Sequence, residues 1–443
     1  MNIKLITVFV VSLFSLILYA QEEQIDTSAR IKEKNKKGWN VGALPAVAFD
    51  SDLGFQYGIV SNVYNYGDGS IYPRYKHSIY LEWSRTTRGS GINQVRYDSE
   101  FLIPKIRFNS ELSYFTDQAY CFYGFNGYNA PYVSDYEDKN SLNYISKMFY
   151  RMDRKLAILK FDFEKGLIGR KLRIFLGFTY FNNTIGRVNF NQLNKGRSES
   201  DKLKDTTLLY DNFVKWGVIP NGQQNGGVTN LIKAGVIYDT RDNEPNPMKG
   251  MWSELLLLAA PSFTNKQLAF SKFVITHRQY FTLRKEVLNV AYRVSYQAKI
   301  AGEIPFYMLP FVYSTTLNRE GLGGAKTIRG ILRNRAIGDD ILYGNLELRW
   351  KFARFMKFNQ NFYLALAAFT DAGIVTGKHR FDDSNPDAQK YLKLGKTEKI
   401  HQSYGVGFYA AMNQNFVVCC NYGRALNPLD GTSGLYIGLD FLY

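Results

Sequence analysis

Alternation with a period of two runs through most of this chain. In "YKHSIYLEWSR", Tyr75, His77, Ile79, Leu81 and Trp83 share one face, and Lys76, Ser78, Tyr80, Glu82 and Ser84 share the other. Leu172, Ile174, Leu176, Phe178 and Tyr180 alternate with Arg173, Phe175, Gly177, Thr179 and Phe181. Leu342, Gly344, Leu346, Leu348, Trp350 and Phe352 alternate with Tyr343, Asn345, Glu347, Arg349 and Lys351. Successive strand side chains point to opposite faces, so the pattern predicts β-strands. The second face is too charged for a packed core. A sheet apolar outside and polar inside is a membrane barrel turned toward a wet lumen.

Sixteen such segments are expected, at 39–50, 53–66, 74–88, 91–103, 106–123, 145–164, 170–188, 227–240, 250–262, 267–283, 286–303, 341–354, 360–376, 401–412, 415–424 and 433–443. The long connections, 124–144, 189–226, 304–340 and 377–400, all follow odd-numbered strands. Even-numbered strands end in shorter turns near Pro104, Gly169, "DNEPNPMKG", Arg284 and Asn413. That parity is the barrel rule of long outer loops and short periplasmic turns. The expected fold is all-β: a 16-stranded antiparallel transmembrane β-barrel, with both ends of the mature chain on the periplasmic side.

Composition sharpens this. Aromatics make up 16% of the chain, more than a soluble core needs, whereas two interfacial girdles require them. Residues 1–20 carry Lys4, an apolar run from Leu5 to Tyr19, then Ala20, which predicts a signal peptide cleaved after Ala20. The run is too short to span a bilayer, and no cysteine stands at the cleavage point to take a lipid anchor. The net charge of +16 would suit nucleic acid. An export signal argues against that partner and for outer-membrane lipid headgroups, phosphorylated sugars or a basic pore lining. Cys121, Cys419 and Cys420 form neither a disulfide framework nor a metal-ligand spacing, so no metal and no cofactor is expected.

Three features do not follow from alternation. Pro45 sits in the first strand, where it can donate nothing to a ladder; it marks either a bulge or a weak seam between first and last strands. Tyr436, Gly438, Phe441 and Tyr443 are similar to the C-terminal targeting signal of outer-membrane barrels, with an edge strand bearing interface aromatics as the simpler reading. The loop "GLGGAKTIRGILRNRAIGDD" has Gly321, Gly323 and Gly324 for sharp turning, and then Ile328, Arg329, Gly330 and Ile331.

That loop resembles the sixth outer loop of the BamA/TamA superfamily, also called the bacterial surface antigen family, whose R-G tip folds back into a sixteen-stranded barrel. Three more segments resemble the family in the right order. "YDTRDNEPNPMKG" carries Asp239, Arg241, Asp242, Asn243 and Gly250; "GNLELR" carries Glu347; "FTDAG" carries Asp371. The resemblance covers 39–443 and is densest after 230. It implies that Arg329 pairs with Asp371, Glu347 or both, pinning the loop in the lumen. A solvated arginine at an outer loop tip is the bland alternative. "DTRDNEPNP" also reads as a plain turn. The family's usual periplasmic POTRA domains are not expected in the short charged segment 21–38, and Ile328 and Ile331 replace a valine and an aromatic.

The resemblance implies a barrel in the cell outer membrane of a Gram-negative bacterium, assisting insertion or translocation of protein or lipid, with a lateral seam as the expected route. Outer-membrane lipids, unfolded outer-membrane protein cargo and a separate periplasmic or lipoprotein partner are the implied partners, without nucleic acid. A passive channel or a structural accessory barrel of a larger complex is the alternative. An enzyme is not expected: His77, His277, His379 and His401 lie in no nucleophile motif.

Overall fold

The computed structural model describes residues 35–443 apart from 51–53, 73, 88, 245, 263–267, 317, 358–359, 394–396, 413–415 and 440. The expected signal peptide and most of segment 21–38 therefore lie outside the described residues, as does the turn at Asn413. The strands are β1 (Trp39–Asp50), β2 (Gly54–Asn65), β3 (His77–Thr86), β4 (Gly91–Ile103), β5 (Ile106–Cys121), β6 (Arg151–Ile168), β7 (Leu172–Gly186) and β8 (Gly226–Asp239). They continue as β9 (Gly250–Ala260), β10 (Phe270–Arg284), β11 (Leu288–Gly302), β12 (Asp340–Lys357), β13 (Gln360–Gly377), β14 (His401–Met412), β15 (Phe416–Ala425) and β16 (Ser433–Leu439). All sixteen form one sheet in sequence order, each antiparallel to the next. The sheet curls until β1 faces β15: a Cβ on Gly42 would lie 3.4 Å from the Phe416 ring.

The two faces sort as the period-two pattern requires. On β12, Leu342, Leu346, Trp350 and Phe352 are exposed, while Asn345, Glu347, Arg349 and Lys351 are buried in the lumen. Aromatic rings gather at both ends of the outer face. Trp39, His77, Tyr97 and Phe108 follow one another at 6.1 to 6.5 Å near the ends where β1, β3 and β5 begin. Phe55, Tyr57 and Trp83 do the same at the opposite rim. Such rings suit the headgroup level, where one edge is apolar and the other wet.

Two expected spans need correction. The sixth strand begins at Arg151 rather than 145, because Met148, Phe149 and Tyr150 are buried in succession beneath the outer loops. The last strand ends at Leu439 rather than 443: Phe441 and Tyr443 leave the wall and are buried in the lumen.

Nor is the outer half of the lumen open and wet. The loops after β5, β7, β11 and β13 fold over it and meet in one aromatic core. Phe122 and Phe125 from the first, Phe213 from helix α2 (Leu209–Lys215; α1 is Phe190–Leu193) in the second and Phe306 from the third pack at 5.4 to 6.4 Å, mostly edge to face. Phe381, from the fourth, lies 5.7 Å from Phe125. That fourth loop also carries helix α3 (Pro386–Tyr391). Offset and T-shaped pairs of this kind add to the gain from burial itself.

Replacing the lipid-facing Leu346 by arginine should destabilise the barrel by about 2–4 kcal/mol, the penalty of a charge near the bilayer midplane. Reversible unfolding in phospholipid vesicles measures it. Leu346→Val, as the control, should change little.

Candidate functional site

The loop between β11 and β12 does not hang outside. Its tip runs down into the lumen and lies against β12, β13 and the β15–β16 hairpin. Glycine makes this possible at two places. Gly323 has φ 107°, and a Cβ there would lie 2.0 Å from the Leu332 carbonyl oxygen. Gly330 has φ 91°, and a Cβ there would lie 2.5 Å from the backbone of β15 at Arg424 and Gly423. L-residues rarely reach that conformation, and here none would fit. Between them, Thr327 Oγ1 donates to the Gly321 carbonyl and accepts from the Gly323 N–H, which tightens the turn.

Arg329 sits at the tip with 1% of its surface exposed. Its Nε and one terminal nitrogen donate to the two oxygens of Asp371 at 2.8 and 2.9 Å, and its own backbone N–H donates to the same carboxylate. Its other terminal nitrogen lies 2.6 Å from Glu347 Oε1. The guanidinium plane covers the Phe369 ring at 3.5 Å. Glu347 in turn accepts from Arg349 Nε at 2.7 Å. Two arginines and two carboxylates thus alternate in a buried chain whose formal charges cancel. A fork-shaped guanidinium satisfies two carboxylates at once, which a lysine cannot do.

The neighbours of this chain fix the loop further. Ile328 and Ile331 are buried with Leu322, Ile341 and Val375, so the apolar replacements at these positions fill a small core. Gly324 N–H donates to the Ile331 carbonyl. Asn345 binds Arg293 with its oxygen and the Thr327 carbonyl with its nitrogen. The Gly330 N–H donates to the Tyr436 hydroxyl on β16.

Sequence reasoning missed a second cluster nearer the outer rim. His401, fully buried at the start of β14, has Nδ1 2.7 Å from Asp430 and Nε2 2.8 Å from Glu398. Both nitrogens face carboxylate oxygens, to each of which a doubly protonated ring donates. Tyr128 stacks on the ring at 4.2 Å and donates its hydroxyl to Asp430, and Arg335 donates to the Leu429 carbonyl. Four outer loops meet here. Nothing in the local sequence pairs His401 with a carboxylate 29 positions away.

The strand-turn residues build the periplasmic turn after β8. Asp239 takes a bidentate fork from Arg241 and a third bond from Arg173. Asp242 accepts from the N–H groups of Met248 and Lys249, and Asn243 from that of Asn246. Gly250 stands at φ 97°, 2.3 Å from the Thr240 carbonyl were it to carry a Cβ. The turn is also an anchor, because Glu244 reaches across the lumen to Arg107 on β5 with both oxygens at 3.1 Å. Burial pushes the Glu244 carboxyl up, but Arg107 and then Arg241 outweigh it and hold it at about 2.

Of the seam residues, Pro45 pairs with Ile59 on β2. Gly438 pairs with Cys419 on β15 and Tyr436 with Asn421. Phe441 stacks on Tyr409 at 4.4 Å, and Tyr443 donates its hydroxyl to the Ala291 carbonyl. Among the described residues no group of His, Cys, Asp and Glu could hold a metal ion.

Removing Arg329 would leave two buried carboxylates short of a partner, a change that costs about 3–5 kcal/mol in other buried pairs. Arg329→Ala should therefore lower the unfolding midpoint in vesicles and expose Lys326 and Arg333 to trypsin in the folded barrel; Arg329→Lys should fall between. The Glu244 anchor should be acid-labile. Its folded pKa is depressed, so its contribution is complete above the ordinary glutamate value and fades as pH falls towards about 2. The midpoint difference between wild type and Glu244→Gln should shrink between about pH 5 and about pH 2.5.

The comparisons with known proteins agree with this architecture. The Omp85 superfamily domain matches residues 78–414. No curated protein matches the chain. Among solved structures, BamA from Haemophilus ducreyi lacking POTRA domains 1–3 is similar over 91% of this chain and 70% of its own, at 14% identity and a TM-score of 0.51. CdiB from Escherichia coli is similar over 91% of this chain and 62% of its own, at 9% identity and a TM-score of 0.54. At these identities the likeness is one of fold. The family match extends over most of the barrel and includes the loop, the paired carboxylates and the strand-turn segment, so the chain belongs to the Omp85 superfamily, a β-barrel of the Gram-negative outer membrane.

Proposed function

We propose that this barrel assists insertion or translocation of protein or lipid at the outer membrane, with traffic passing sideways between β1 and β16. The observation that carries the reading is the state of the seam. β1 pairs with β2 along its whole length, yet among the described residues it has no ladder with β16. β16 is only seven residues long and, among the described residues, pairs with β15 alone. A strand edge with free N–H and C=O groups is a template for another strand. In hydrocarbon such groups are costly unless a partner covers them.

The packed outer mouth supports the same reading by opposing the alternative. A passive channel needs a continuous wet path, and the aromatic core of the outer loops occupies that path. Arg329 takes the role of the loop lock: it keeps the loop between β11 and β12 inside and its tip on β16. Outer-membrane lipids and unfolded outer-membrane proteins are the proposed clients, and a separate periplasmic or lipoprotein partner would deliver them.

Assisted folding tests this. The barrel is reconstituted in vesicles, and a urea-unfolded outer-membrane protein is added and followed by gel mobility. With the native cysteines replaced by serine, Gly42→Cys with Phe416→Cys ties β1 to β15. The reduced protein should accelerate folding severalfold over empty vesicles, and the oxidised protein should not. No acceleration, or equal acceleration by both, would sink the lateral reading.

A further inference from the structure

The lumen is filled unevenly. From β6 to β15 most inward side chains are buried, among them Leu156 and Lys160 on β6, Ala365 and Asp371 on β13 and Tyr409 on β14. From β2 to β4 they are only half-buried, as at Asn62, Tyr80, Glu82 and Gln94. Arg96 on β4 is exposed although it points into the barrel. The inward positions of β16, Gly434, Tyr436 and Gly438, are half-buried too. An unfilled trough therefore runs inside the wall on both sides of the seam. Ile92, at the outer end of β4, packs under the aromatic cap, so the trough is closed towards the outside. One row leads into it from the seam: Gly42, Asn62, Tyr80, Arg96 and Glu111 stand opposite one another on β1 to β5.

Elsewhere the lumen pairs its cations with carboxylates. Here it does not. The Arg96 guanidinium lies over the Tyr80 ring at 4.0 Å. Arg319, from the loop between β11 and β12, lies over Phe115 of β5 at 3.4 Å. Lys326, further along that loop, is exposed within the lumen. None of the three is ion-paired among the described residues. Glu82 takes its hydrogen bond from the Tyr80 hydroxyl, and Glu111 from Gln94 and Ser113. Arg96 and Lys160 act on Glu111 only at longer range. A guanidinium stacked on a ring is held in place while its N–H edge stays free, and that edge fits two oxygens of a phosphate.

We propose that the trough binds the anionic, phosphorylated head group of a membrane lipid whose chains stay in the bilayer, the two joined through the seam. The proposal rests on the lateral reading above and names its client class. Arg96 and Lys326 answer the charge of the head group. Asn62, between Arg96 and the seam, suits the hydroxyls of a glycerol or a sugar. A polypeptide strand carries no fixed charge of one sign, so the unanswered cations favour the lipid.

The test replaces Asn62, in the trough, or Leu81, on the lipid face, by p-benzoylphenylalanine. The full-length barrel is folded into phosphatidylcholine vesicles containing phosphatidylglycerol or lipopolysaccharide, irradiated, and analysed by intact mass. At position 62 the adducts should be enriched in anionic lipid over its share of the bilayer, the added mass naming the glycerophospholipid or the glycolipid. At position 81 they should follow bilayer composition. Arg96→Gln should lower the anionic adduct at position 62 by about tenfold, the worth of one charge-assisted hydrogen bond. Lys326→Gln should lower it less, Arg96→Lys should retain most of it, and none should alter position 81. Gel mobility of unheated samples checks folding. Should Arg96→Gln not fold, excess inorganic phosphate should compete the adduct from the barrel with Arg96 intact, where chloride does not. Adducts at position 62 that match the bulk lipid or ignore both Arg96 and phosphate overturn the proposal. So do adducts that persist when the Gly42→Cys, Phe416→Cys pair is oxidised before reconstitution, or cross-linking of an added unfolded outer-membrane protein there in place of lipid. Assisted folding without anionic adducts overturns it while leaving the insertion reading intact; anionic adducts without assisted folding support lipid as the client.

Discussion

A guanidinium buried in a protein interior is costly unless acceptors meet it in good geometry, and carboxylates do so best. Arg329 is such a group, and much of the molecule is arranged around that requirement. Asp371 must be held by β13 and Glu347 by β12, both facing inward at one level, which fixes the register of the two strands. Gly330 must let the loop approach β15, and Gly423 must receive it. Once the tip is fixed, the rest of the loop cannot leave the lumen. Phe306 then stands within reach of Phe122 and Phe125, and the outer loops close over it as one aromatic core.

The same requirement explains why the interior is charged yet not a pore. Lumenal charges occur mostly in pairs: Arg278 with Glu254, Lys233 with Asp162, Arg154 with Asp117. Pairing removes the single-sign field that would draw ions through. The surplus of basic residues over the whole chain is thus a poor guide to the lumen, whose cations are largely answered by carboxylates on neighbouring strands or loops.

The strand order and the faces of β12 and β13 were legible because one face meets lipid and the other does not, and period two records that difference directly. Arg329, Glu347 and Asp371 were legible through four motifs in order; spacing alone would have left Arg329 at a loop tip. What could not be read depends on partners distant in sequence. Ile145 to Tyr150 looks like the start of a strand, but Met148, Phe149 and Tyr150 answer to the cap, not to a pleat. Phe441 and Tyr443 keep the alternation of Leu435 and Ile437, which would face them to lipid; contacts with Tyr409 and the Ala291 carbonyl hold them inward. His401 offers no signal at all, because Glu398 and Asp430 reach it from two different loops.

Two of these surprises, together with the loop tip, converge on one strand. The loop that leads into β16 is held at Asp430 by His401, Tyr128 and the neighbourhood of Arg335. The middle of β16 is held at Tyr436 by the Gly330 N–H. The segment beyond it is held at Phe441 and Tyr443 by Tyr409 and Arg349. A strand in the middle of a sheet is fixed by two ladders, whereas among the described residues β16 has one ladder, seven residues long, and it and its flanks are attached to the contents of the lumen at Asp430, Tyr436, Phe441 and Tyr443. Backbone ladders open rung by rung, each rung exposing polar groups to hydrocarbon. Side-chain ties inside a polar lumen can exchange partners without that penalty. Under the lateral reading, the position of β16 is therefore governed from within the barrel. The strand at the seam is the one tied to the loop tip at Tyr436 and, just beyond its end, to the lumen wall at Phe441 and Tyr443.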